Sequence, residues 1–154
     1  MAELHFKIKN ALEKIDFIRR YEELSARFSG ERTPSNERLE YVDRDEVMEI
    51  LLDLGHAARF DKKEKFFKIK EEQIGAFTLG FHIILRYGMA DLVWVVRENG
   101  ELLLGSPWST YSRRLIDVNY RIKNPVFGTY EDLEDILKVA FGMYEDFKKV
   151  LIQE

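Results

Sequence analysis

The hydrophobic pattern repeats every second residue between residues 56 and 105, and this feature restricts the fold most. Asn99-Gly100 is a preferred sequence for a two-residue hairpin turn, because both residues tolerate positive φ. Gly88 is expected to support another turn. We therefore predict an antiparallel β-meander of about four to five strands. The predicted strands cover residues 66–69, 76–87, 91–97 and 101–104.

The longest of these strands has two unlike faces. One face is apolar and carries Phe77, Leu79, Phe81, Ile83 and Leu85. The other face is smaller and more polar, and it carries Thr78, Gly80, His82 and Ile84. Because antiparallel sheets often bury a single face, we expect the apolar face to lie under helices and the other to stay partly open.

Helical periodicity precedes the meander. Residues 7–29 predict one long helix that ends near Gly30. Residues 31–40 are polar and predict an exposed loop. A second helix is expected to begin at Asp43 and to end at Gly55, since Asp43 and Glu46 have the spacing of a capping box.

Helical periodicity also follows the meander. Pro107 suits the first turn of a short helix that reaches Arg114 or Leu115. Thr129 is expected to cap a long final helix, in which Lys148 and Lys149 lie near the negative end of the dipole. The sequence thus predicts one α+β domain over residues 1–154. In it, the antiparallel meander packs against two N-terminal helices and a long C-terminal helix.

Composition excludes several classes of function. The 154 residues contain no cysteine, which excludes disulfides, thiol catalysis and cysteine-bound metal centres. The formal net charge of −4 argues against direct nucleic-acid binding, which needs a basic surface. The N-terminus lacks the apolar region of a signal peptide, and no apolar run approaches the length of a membrane span. We expect a cytoplasmic protein without membrane contact.

No catalytic, metal or cofactor motif is visible. His5, His56 and His82 lack the spacing of metal ligands, and the glycines do not form a phosphate-binding loop. The serines around Trp108 lack a nucleophile-elbow pattern. His82, in mid-strand beside aromatic residues, would be the best general base if there were one. We therefore expect neither cofactor nor metal, and a protein that is not an enzyme.

One acidic row is a candidate binding feature. Asp45, Glu49 and Asp53 are spaced by four residues on the second predicted helix and therefore share one face. Like charges at this spacing repel, and Asp53 is also unfavourable near the negative end of the helix dipole. Such a row could meet a basic partner, although a solvated helix face is the commoner explanation.

Two further patterns have alternative interpretations. Residues 62–70 alternate lysine with apolar residues, which fits a lysine-protected edge strand better than a nucleic-acid contact. Trp108, followed by Arg113 and Arg114, could form a small-ligand or anion site, but a tryptophan that fills the core is the more ordinary reading.

The layout and two motifs carry a resemblance to a known group. The motifs are the Gly-Ser-Pro-Trp turn at 105–108 with Arg113-Arg114-Leu115, and the helix from Tyr130-Glu131-Asp132-Leu133 to Tyr144-Glu145-Asp146-Phe147-Lys148. With the order helix, helix, meander and helix, the chain resembles the small immunity proteins of bacterial polymorphic and contact-dependent toxin systems. The resemblance implies a cytosolic antitoxin that occludes the active site of a toxin, often a nuclease with a basic cleft.

The leading hypothesis is therefore an immunity protein that binds a basic cognate toxin. Its expected partner-binding residues are Asp45, Glu49, Asp53, His82 and Trp108. One alternative is a small-ligand-binding module with a pocket between sheet and helix near His82 and Trp108. A further alternative is a small enzyme that uses His82 with a nearby carboxylate.

Overall fold

The computed structural model of the chain describes residues 3–153, which form a six-stranded antiparallel sheet and five α-helices. The helices are α1 (Phe6–Lys14), α2 (Phe17–Arg27), α3 (Arg44–Asp53), α4 (Trp108–Leu115) and α5 (Tyr130–Ile152). The strands are β1 (Ala58–Asp61), β2 (Phe66–Ile69), β3 (Glu72–Ile74), β4 (Phe77–Arg86), β5 (Met89–Glu98) and β6 (Glu101–Leu104). A 3₁₀ turn covers Ser35–Glu37.

The sheet follows the chain as a meander in the order β1-β2-β4-β5-β6, and β3 pairs with β4. The α+β class and the antiparallel meander with its flanking helices are confirmed. The four predicted strands correspond to β2, β4, β5 and β6, with ends that differ by at most two residues. β1 and β3 were not predicted, because strands of four and three residues are too short to show a clear alternation.

Both predicted turns are present. Asn99 and Gly100 have φ of 51° and 86°, and Tyr87 and Gly88 have φ of 54° and 72°. Positive φ at both central residues is the pattern of a type I′ hairpin turn, which suits the right-handed twist of the flanking strands. The turns join β5 to β6 and β4 to β5.

The single long helix expected over residues 7–29 is wrong, because the chain breaks into α1 and α2. Asp16 adopts the left-handed conformation with φ of 57° between them. Arg20 Nη1 donates a hydrogen bond to the carbonyl of Ile15 that the break leaves free. Ile8 and Tyr21 are both buried on their separate helices, so the apolar periodicity crosses the break unchanged and conceals it.

The core lies between the helices and one face of the sheet. Trp94 of β5 is fully buried at its centre, and Phe81 of β4 faces the same layer. The final helix begins as predicted, since Thr129 Oγ1 accepts a hydrogen bond from the Asp132 N–H at 3.1 Å. Its predicted apolar face is buried throughout, at Leu133, Ile136, Leu137, Ala140, Tyr144, Phe147 and Leu151.

Lys148 lies near the C-terminal end of α5, as expected, but its side chain is buried. The residue is only 5% exposed, and its Nζ lies 2.8 Å from Oε1 of both Glu72 and Glu145. The ammonium also lies 4.5 Å from the centroid of the Tyr144 ring. β3, which the sequence did not reveal, brings Glu72 to α5, so Lys148 also links helix to sheet.

The expectation that the lysine-rich stretch is an edge strand is also wrong. β2 lies between β1 and β4, and β1 is the strand at this edge. Lys68 projects from β2 opposite His82, on the sheet face away from the helices. The error follows from missing β1, whose short sequence Ala-Arg-Phe-Asp covers β2.

The polar loop over residues 31–40 lies close against residues 127 and 128 and the β4–β5 turn. Leu39 N–H donates to the Phe127 carbonyl at 3.0 Å. A Cβ at Gly128 would lie 2.3 Å from the carbonyl oxygen of Glu37, and one at Gly88 would lie 2.5 Å from Cβ of Arg38. The loop therefore leads into α3 from a held position beside the β4–β5 turn.

Within residues 3–153, none of the helices combines the length and the apolar character that crossing a bilayer requires.

Candidate binding surface

The helix α3 presents the acidic row to solvent. Asp45, Glu49 and Asp53 are all exposed, and they lie on the side of α3 opposite the buried Val47 and Leu51. The helix is held at its start by the predicted cap, Asp43. Its Oδ1 accepts hydrogen bonds from the backbone N–H groups two and three residues later, at 2.8 and 3.3 Å. The row is therefore a rigid surface feature.

The three carboxylates of this row make no ion pair or side-chain hydrogen bond with any residue in the range 3–153. Acids elsewhere do: Asp146 lies 2.9 Å from Arg20, and Asp132 lies 2.9 Å from Arg32. Leu52 lies beside the row on the same helix and is 63% exposed. This face of α3 therefore combines unpaired acids with one exposed apolar side chain.

A cleft of about 860 Å³ adjoins the start of α3. Three separate parts of the chain form it: the segment 40–45, the β1–β2 hairpin and the β4–β5 turn. Its floor is apolar, with Val42, Phe60, Phe67 and Leu85. Its walls carry Glu40, Tyr41, Arg44, Asp45, Glu64, Lys65, Arg86 and Tyr87.

The rim of this cleft is aromatic and charged. Tyr41 is 81% exposed and Tyr87 is 61% exposed. The Arg44 guanidinium carbon lies 4.1 Å from the centroid of the Phe60 ring, a cation–π contact that orients this side chain within the cleft. Asp45 belongs both to the cleft and to the acidic row, so the two features form one continuous surface, which we call the α3 surface.

His82 lies apart from this surface. It is half-buried on the sheet face away from the helices, where its ring centroid lies 4.6 Å from that of Phe66. Burial, with a smaller contribution from Lys68, lowers the pKa of His82 below its usual value. No hydrogen bond joins its imidazole to a carboxylate in the described part of the chain, so a catalytic His–carboxylate pair is not formed there.

Trp108 lies in the core, which agrees with the interpretation of it as a core-filling tryptophan. The side chain is fully buried, and its ring packs edge-on against Phe17 and Tyr21. Its ring also contacts Trp94, which projects from the sheet face opposite to His82. His82 and Trp108 therefore cannot line the one pocket suggested for a small ligand. Because Trp108 has no exposed surface, we leave it out of the α3 surface.

Histidine burial gives the protein a predicted pH dependence. Burial is also the main cause of the lowered pKa of His56, whose ring stacks on Phe141 with centroids 3.7 Å apart. Below about pH 6.5 the unfolded chain therefore binds more protons at His56 and His82 than the folded chain does. We expect the free energy of unfolding, measured in urea, to fall as the pH is lowered from about 7 to about 5.

The His82→Gln variant should show a smaller fall over the same interval, because one of the two shifted groups is then absent. If the free energy of unfolding fell as much in this variant as in the unaltered chain, His82 would not contribute to the pH dependence.

The sequence missed the cleft, although it identified one of its residues, Asp45. The lining residues are far apart in the sequence, and no motif links them. One local signal was available: Tyr87 precedes Gly88 in a predicted hairpin turn, where asparagine or aspartate is usual. Among residues 3–153, no group of three or more His, Asp or Glu side chains is placed to hold a metal ion.

Comparisons with family models, curated proteins and solved structures find no match to this chain.

Proposed function

We propose that the protein is an immunity protein, which binds a basic bacterial toxin through the α3 surface and blocks its active site. The observation that carries the proposal is the exposed, unpaired row of Asp45, Glu49 and Asp53. Such a protein would act in the cytoplasm, where its toxin would otherwise reach its target.

Electrostatics support this role. Each pair of like charges at helical spacing costs about 0.2–0.5 kcal/mol. Asp53, in the last turn of α3, also opposes the helix dipole. A basic partner would relieve both effects. Complementary charge would also speed association and fix the register of the complex.

The apolar and aromatic residues support a protein partner. Interfaces take most of their affinity from a few large side chains, especially tyrosine, tryptophan and arginine, and leave charge at the rim. The α3 surface and its edge offer such side chains, since Tyr41, Leu52 and Tyr87 are exposed beside the charged residues. Removing the carbons of these side chains from water would favour binding, and the acidic row alone does not provide this contribution.

The test is affinity purification of the tagged protein from its native cells, followed by charge reversal. We expect a basic protein to be recovered in equal amount with the unaltered chain. The variant Asp45→Lys, Glu49→Lys, Asp53→Lys should lose it, with a drop of about a hundredfold or more in affinity at physiological salt.

A matched control carries Glu22→Lys, Glu31→Lys and Glu101→Lys, which are exposed acids outside the α3 surface. Both triple variants have the same net charge, so the control separates a local contact from a general charge effect. If the two variants bound the recovered protein equally well, the acidic row would not be part of the interface. Recovery of a bound small molecule in place of a protein would contradict the immunity function.

A further inference from the structure

Backbone strain is concentrated at the cleft. Within residues 3–153, four non-glycine residues have positive φ: Asp16, Lys65, Tyr87 and Asn99. Aspartate and asparagine tolerate this region because their short side chains bond locally, whereas lysine and tyrosine are poorly suited to it. The two unsuited residues both line the cleft. Strain of this kind tends to accumulate at functional sites.

These two side chains contribute little to the stability of the fold. Tyr87 is mostly exposed, and Lys65 is exposed and forms no ion pair with a described residue. Asn99 occupies the same position of its own type I′ turn and is the residue that this turn prefers. The β4–β5 turn could therefore hold asparagine at position 87, so the tyrosine needs another explanation.

The charges indicate what the cleft holds. The wall from segment 40–45 carries Glu40 and Asp45, while its Arg44 is held over Phe60. The β1–β2 hairpin and the β4–β5 turn contribute Lys65 and Arg86 together with a single acid, Glu64. None of these six charged groups forms an ion pair with a residue in the range 3–153. The occupant should thus present positive groups to Glu40 and Asp45 and negative groups to Lys65 and Arg86.

We propose that the cleft binds an extended segment of the protein partner, an inference that rests on the proposed function. An extended chain presents its side chains along its whole length, so one segment can offer basic groups to Glu40 and Asp45 and acidic groups to Lys65 and Arg86. An apolar side chain of the segment packs on the floor between Tyr41 and Tyr87. The open rim favours a polypeptide over a small molecule, which usually needs a site that encloses most of its surface.

The experiment uses a phage library of random dodecapeptides, selected on the unaltered full chain and followed by titration of the synthetic peptides. The Tyr87→Asn variant should weaken their binding by about tenfold or more, because it removes the aromatic rim. The same variant should raise the Tm by about 2–4 °C, because it removes strain from the turn. Its fold is therefore not at risk.

The matched control is Asn99→Tyr, which places a tyrosine in the same turn geometry outside the cleft. It should lower the Tm and leave peptide affinity unchanged. Lys65→Asn provides a second test, with weaker binding of the acidic side of the peptide and a raised Tm. The proposal would be overturned if Tyr87→Asn bound the peptides as tightly as the unaltered chain. It would also be overturned if the library yielded no peptide that binds the cleft.

The cleft proposal and the immunity function can be disproved independently of each other. If charge reversal on α3 releases the toxin while Tyr87→Asn has no effect on binding, the immunity function stands and the cleft proposal is wrong. If the selected peptides bind the cleft but no toxin is recovered with the chain, the cleft binds extended peptides and the immunity function is wrong.

Discussion

Replacing Gly128 with alanine is expected to destabilise the protein by about 3 kcal/mol or more. The added Cβ would lie 2.3 Å from the Glu37 carbonyl oxygen and 3.0 Å from Cγ2 of Thr33. Neither neighbour can move freely: Thr33 is buried, and the backbone close to Glu37 is held by the hydrogen bond from Leu39 to Phe127. The clash is therefore with fixed atoms rather than with the end of a flexible side chain.

Gly142→Ala is the matched control for this change. Gly142 lies in α5, and a Cβ there would meet no atom within 4 Å. Because glycine is less favourable than alanine inside a helix, this variant should gain about 0.5–1 kcal/mol. Urea unfolding of both variants measures the two changes. A Gly128→Ala protein as stable as the unaltered chain would show that the loop moves easily away from residue 128.

Truncating Trp94 to alanine is expected to cost about 3–5 kcal/mol, a large part of the stability of an ordinary domain. The indole is fully buried between the sheet and the helices. Its aromatic neighbours are Phe17, Phe81, Trp108, Tyr111, Tyr144 and Phe147. These residues come from α2, β4, α4 and α5, so the cavity would loosen four elements at once.

Trp94→Phe should cost clearly less than Trp94→Ala. The Trp94 Nε1–H is buried and donates to no acceptor among residues 3–153, so the substitution removes no hydrogen bond with this part of the chain and leaves a smaller cavity. Tyr41→Ala, at an exposed position, should change stability by about 0.5 kcal/mol at most. Urea midpoints for the three variants test this order. Equal losses for Trp94→Ala and Tyr41→Ala would contradict the packing described for the core.

The buried faces and the starts of several elements could be predicted from the sequence, because each depends on residues that are close together along the chain. The alternation in β4 identified its buried face, and Thr129 and Asp43 identified the starts of two helices. The helix break at Asp16 was not accessible, since a single residue in the left-handed conformation leaves the apolar periodicity intact. Periodicity reports which side of an element is buried and is insensitive to such a break.

The acidic row was likewise predictable, whereas its surroundings were not. Asp45, Glu49 and Asp53 share a face through helical spacing alone. That spacing does not reveal whether another part of the chain pairs with them. Only the tertiary structure shows the row unpaired and joined to a cleft. His82 and Trp108 illustrate the converse, since the sequence analysis suggested that they share a pocket, whereas they lie on opposite sides of the sheet.

The sequence by itself thus determined the α+β class, the meander, its two tight turns and the acidic face of α3. Each of these depends on side-chain alternation, caps or turn residues within a few positions along the chain. The tertiary structure alone decided the ion pair between Lys148 and Glu72 and the cleft between segment 40–45 and the two hairpins. These features arise where segments distant along the chain meet, and the periodicity of one segment carries no information about the segment that will pack against it.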